Sequence, residues 1–83
     1  MKISVQSANT IVYENKTASS VEATIGVAGR GRLDVNLQGA PTIQHHFQAP
    51  GGVVTITLAA GAKIDANPVH PSTAIEVEFI HFR

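Results

Sequence analysis

With 83 residues and no cysteine, this chain has no access to disulfides or thiolate metal sites, so packing, a partner subunit or a metal on His, Asp and Glu must support a small core. Six basic residues cancel six acidic ones and the sequence pI is near 6.9, which lacks the basic excess that phosphate binding draws on; no nucleic-acid partner is expected. No charged segment precedes an apolar one at the start, and no stretch approaches the roughly 20 apolar residues of a membrane span. The expectation is a protein with no signal peptide and no membrane partner, cytoplasmic as synthesised or part of a released particle.

Helical periodicity is absent, and period-two alternation runs through the chain between clusters of Gly, Pro, Asn and Ser. The first strand is expected over residues 2–6, with Ile3 and Val5 sharing a face. A turn at Ser7-Ala8-Asn9 leads to a strand over 10–14, where Ile11 and Tyr13 oppose Val12. Asn15-Lys16 is a turn; Asn15-Lys16-Thr17 matches a glycosylation acceptor, read as chance without a signal peptide. A third strand follows, Val21, Ala23, Ile25 and Val27 pointing one way and Glu22 and Thr24 the other.

Gly29-Arg30-Gly31 reads as the clearest hairpin turn in the chain, because glycine tolerates the positive φ of a tight reversal. The returning strand, 32–37, turns Leu33, Val35 and Leu37 inward and Asp34 and Asn36 outward. Gly39-Ala40-Pro41 breaks it. Residues 42–48 then place Ile43, His45 and Phe47 opposite Gln44 and His46. Ala49-Pro50-Gly51-Gly52 is a second strong turn, followed by a strand over 53–58. A short segment at 62–65 precedes an irregular stretch over 67–72, and residues 73–82 form the last strand.

Seven or eight short strands with a turn every eight to twelve residues predict an all-β, single-domain antiparallel β-sandwich or jelly-roll, with a small β-barrel as the alternative. Residues 21–36 and 53–67 echo each other: each has a β run, a glycine, a basic residue and then Leu-Asp-Val-Asn or Ile-Asp-Ala-Asn. Overlaid from Val21 and Val53, their inward faces fall out of phase.

Chemistry-bearing residues are sparse. Asp34 and Asn36, and likewise Asp65 and Asn67, put alternate oxygens on one strand face, as a calcium shell uses, although six or more ligands are needed. His46 and His70 are candidate ligands for a transition metal such as zinc, without any HxH or HExxH spacing. Glu76 and Glu78 share a strand face but read as solvated, and no serine sits at a nucleophile elbow. The expectation is therefore a non-enzyme without a cofactor.

The final strand alternates cleanly to Glu78 and then becomes apolar on both faces, Phe79 and His81 on one and Ile80 and Phe82 on the other. An apolar second face on a small two-layer protein calls for a cover. Phe79, Ile80, His81 and Phe82 are thus the expected interface of a homo-oligomer or of a protein partner. The primary reading is a self-associating structural or interaction module, such as a subunit or decoration protein of a particle. The alternative is a small module that binds carbohydrate or a metal ion through Asp34, Asn36, Asp65, Asn67, His46 and His70.

Overall fold

The computed structural model describes residues 2–70 and 73–83. Met1, Pro71 and Ser72, the last two part of the expected irregular stretch, lie outside the described residues. The alternation becomes eight strands, β1 (Lys2–Val5), β2 (Thr10–Glu14), β3 (Val21–Ala28), β4 (Gly31–Asn36), β5 (Ile43–Phe47), β6 (Gly51–Leu58), β7 (Lys63–Pro68) and β8 (Ile75–Phe82). They form two four-stranded antiparallel sheets in the orders β1-β8-β3-β6 and β2-β7-β4-β5. The ladder partners β1·β8, β2·β7, β3·β6 and β4·β5 are those of one long hairpin rolled up on itself, which is the jelly-roll. Ile25, Leu33, Leu58, Ile64, Ile75 and Val77 lie fully buried between the sheets.

Gly29-Arg30-Gly31 is not a hairpin. β3 and β4 lie in different sheets, and among consecutive strands only β4 and β5 are neighbours. The alternation of Ala23-Ile25-Val27 and Leu33-Val35 marks which face is buried but not which sheet each strand joins, and here the two faces meet across the core. The glycines serve the crossing instead: Gly29 has a φ of 109°, and a Cβ on Gly31 would sit 2.5 Å from the Asn67 carbonyl oxygen. Ala49-Pro50-Gly51-Gly52 likewise carries the chain from one sheet to the other.

The expected irregular stretch also begins later than Asn67, since β7 runs on to Pro68. Pro68 pairs with Gly31 of β4, but β2 has already ended alongside at the Thr10–Ala66 pair. Beyond that point only one side of the strand needs a ladder partner, which a proline tolerates.

Two β-bulges correct the expected side-chain facing. On β2, Ile11 pairs with Asp65 and Tyr13 with the adjacent Ile64, so Val12 is the extra residue and Ile11 and Tyr13 part company. Ile11 stays exposed while Val12 is buried and Tyr13 packs on the core. On β8, Phe79 pairs with Ile25 and His81 with Thr24, which makes Ile80 the extra residue. Phe82 then pairs with the inward Ala23 and shares the face of Phe79, while His81 turns outward with Thr24. Phe82 and Ile80 therefore do not form one second apolar face. Tyr13, Phe79 and Phe82 meet between the sheets, with centroids 5.6 Å apart for Tyr13–Phe79 and Phe79–Phe82 and 5.0 Å for Tyr13–Phe82.

Because Phe82 is still 42% exposed, its truncation removes only part of a core aromatic's contribution. Phe82→Ala is expected to lower stability by about 2 kcal/mol in urea unfolding.

Candidate functional site

The outer face of the β2-β7-β4-β5 sheet gathers the Asp-x-Asn residues. Asp34 and Asp65 are direct cross-strand partners, an arrangement that destabilises when two like charges stand alone. Here each carboxylate takes an amide from the other strand: Asn67 Nδ2 donates to Asp34 Oδ2 at 3.0 Å, and Asn36 Nδ2 to Asp65 Oδ2 at 2.9 Å. Arg32 Nε adds bonds to both Asp34 oxygens at 2.9 and 3.1 Å. The amide oxygens are engaged too, Asn67 Oδ1 by the Asn9 N–H and Asn36 Oδ1 by the Thr42 hydroxyl, each at 2.7 Å. Asp34 and Asn67 are buried.

The quartet has a local two-fold axis that matches the sequence echo. Moving along the chain by the offset from Asp34 to Asp65 carries Asn36 to Asn67 and Arg32 to Lys63. The same offset carries Thr24 to Thr55 and Ile25 to Ile56 in the opposite sheet, where Thr24 and Thr55 are again direct partners with hydroxyls 3.3 Å apart. The same offset thus joins a cross-strand pair in each sheet. At this offset the inward faces are in phase, Ala23, Ile25 and Val27 on Val54, Ile56 and Leu58; the mismatch belonged to an overlay displaced by one residue.

Among the described residues, Asp65 Oδ1 is the one side-chain oxygen of the quartet without a hydrogen bond, which offers a hard cation little. No three His, Cys, Asp or Glu residues converge on a metal-sized site among those described. His46 is exposed on β5 opposite Arg32, whereas His70 makes an isolated bridge with Thr73, so the two candidate ligands stand in separate settings. His45 is half-buried opposite Leu33 in one sheet, and His81 is outward in the other.

Two concavities flank this framework. The first, about 310 Å³, opens where β3 crosses to β4 and β7 leaves its sheet, with Arg30, Arg32, His46, Gln48, Pro68 and Val69 in its wall. Neither Arg30, in the expected turn, nor Arg32, at the start of the returning strand, carries a motif that marks it in the sequence. The second, about 250 Å³, is a trough on the outer face of the other sheet. Gly26 forms its floor, with Ile80 on one bank and Val53 on the other; a Cβ on Gly26 would sit 3.3 Å from Ile80 Cδ1. Lys2, Glu76 and Glu78 close its charged end. Compared with protein-family models, curated proteins and solved structures, the chain matches none.

Proposed function

We propose that this domain is a non-enzymatic building block that associates with copies of itself, as a subunit or decoration protein of a larger assembly. One observation carries the reading: residues 35–62, which supply β5 and β6 along one side of the sandwich, contain no Asp, Glu, Lys or Arg. A free sheet edge is a template for another chain, and monomeric β-proteins guard theirs with short strands, charges, proline or bulges. The opposite side is guarded in this way: β1 has only four residues and carries Lys2, and β2 has a bulge and Glu14. β6 is eight residues long with none of these devices inside it, and it is rich in β-branched residues.

The partner that such an edge suits is a second β6 running antiparallel, which would join two four-stranded sheets into one. Val53, 66% exposed, and Ile80, 54% exposed, stand on the same outer face as the Gly26 trough and add apolar area beside the new ladder. Of the C-terminal residues first expected at an interface, Ile80 keeps that role here; Phe79 and Phe82 belong to the aromatic cluster.

The test is native mass by light scattering behind size exclusion, for the wild type and for Val53→Lys/Thr55→Lys. Both side chains are exposed, so the folded monomer should tolerate the change. A discrete wild-type oligomer that becomes a monomer with an unchanged circular-dichroism spectrum supports the reading. A wild-type monomer at about 100 μM, where standard-sized interfaces are largely occupied, overturns it.

A further inference from the structure

We infer that the groove between Arg30, Arg32 and His46 is a binding site for a carboxylate-bearing sugar. No acidic side chain lines the groove, although the protein as a whole is neutral. Arg30 is exposed and makes no ion pair among the described residues. Arg32 is held differently. Its Nε is fixed against the buried Asp34, and Asp34 is fixed in turn by Asn67, so the guanidinium is braced from behind. Its terminal nitrogens have no protein partner among the described residues, and the side chain is 39% exposed.

A braced guanidinium with a free end is pre-organised for a planar oxyanion, since its parallel N–H groups match the two oxygens of a carboxylate. A second arginine beside it leaves the pair with a net positive charge after Asp34 is counted. The remaining wall distinguishes a sugar acid from a bare anion. His46 and Gln48 supply hydrogen-bonding groups suited to hydroxyls, while Phe47, Pro68 and Val69 supply an apolar side against which a sugar ring can lie. A volume near 310 Å³ is at the small end for ligand sites, appropriate to one monosaccharide rather than a long chain. The groove lies on the other sheet from the Gly26 trough.

The experiment is a nuclear magnetic resonance titration of the ¹⁵N-labelled protein with galacturonic acid, galactose and inorganic phosphate in turn. Galacturonic acid is expected to give saturable shifts centred on residues 30–32, 46–48 and 67–69, with galactose giving none at the same concentrations. Arg30→Glu, a surface reversal that leaves the Arg32–Asp34 brace intact, should weaken galacturonic acid binding by about tenfold or more, and Arg30→Lys should restore part of it. Phosphate binding as well as galacturonic acid would overturn the sugar assignment. Absent shifts, or shifts unaffected by Arg30→Glu, would overturn the site itself.

Discussion

Gly51→Ala is expected to destabilise the domain by about 3 kcal/mol or more, lowering the melting temperature by roughly 15 °C. Gly51 opens β6 with a φ of 124°, a conformation that side-chain-bearing residues rarely adopt. The space is closed as well: a Cβ there would overlap the Val27 carbonyl oxygen and lie 2.9 Å from Ala28 Cα. Both obstacles are backbone of the neighbouring strand, so neither moves without disrupting the β3·β6 ladder that joins Ala28 to Gly51. Gly61 supplies the control. Its φ is 86° but nothing lies within 4 Å of its Cβ position, so Gly61→Ala should cost only about 1 kcal/mol. Urea unfolding of the two variants with an unchanged m-value separates the steric term from the conformational one; equal losses would refute the assignment of close backbone approach at Gly51.

Asn15→Ala is expected to cost a similar amount, about 3 kcal/mol, by a different route. Asn15 is fully buried and clamps two loops together. Its Nδ2 donates to the carbonyls of Ser19, Leu58 and Ala59 at 2.9, 3.0 and 3.1 Å. Its Oδ1 accepts from the Thr17 N–H at 3.1 Å and the Thr17 hydroxyl at 2.6 Å, and its backbone bonds Ala62 and Gly61, both at 2.8 Å. Truncation leaves several of these groups without their partner, the Leu58 carbonyl among them in a buried setting. Asn15→Asp keeps the shape but aims a carboxylate at three carbonyl oxygens, so thermal unfolding should show it no more stable than Asn15→Ala. An Asp variant close to wild type would show that shape alone matters there. The same geometry disposes of the glycosylation motif at Asn15: in the folded protein the nitrogen that would carry the glycan is buried and already bonded three times.

The strands and the buried faces of β1, β3, β4 and β6 were legible because alternation depends only on which side faces the core. Sheet membership was not, because Ile25 opposite Val54 in one sheet and Leu33 opposite Ala66 in the other read alike along the chain. The two bulges were invisible for a related reason. Val12 and Ile80 have ordinary strand character, and only the partner strand reveals that each is one residue too many. Those two insertions are what moved Tyr13 and Phe82 inward and overturned the expected apolar face at the C-terminus. The pairing of the Asp-x-Asn motifs was half visible in the echo, but their reciprocal hydrogen bonds required knowing that β4 and β7 are neighbours. The arginine groove had no sequence signal, since Arg30, His46 and Val69 are brought together only by the crossing of β3 to β4 and the exit of β7.

The nested order of strand partners also governs how the chain acquires its shape. The β4·β5 pair closes a short loop, and each further pair, β3·β6, then β2·β7, then β1·β8, closes a longer one around it. Each outer ladder can form at modest entropic cost only after the inner one has brought its ends together. The nesting predicts formation outward from the β4–β5 turn, and so much distant pairing predicts slow, millisecond-to-second folding despite the small size. On this order β1 is expected to join last, so substitutions in its four residues should change the unfolding rate more than the folding rate, which stopped-flow kinetics would read.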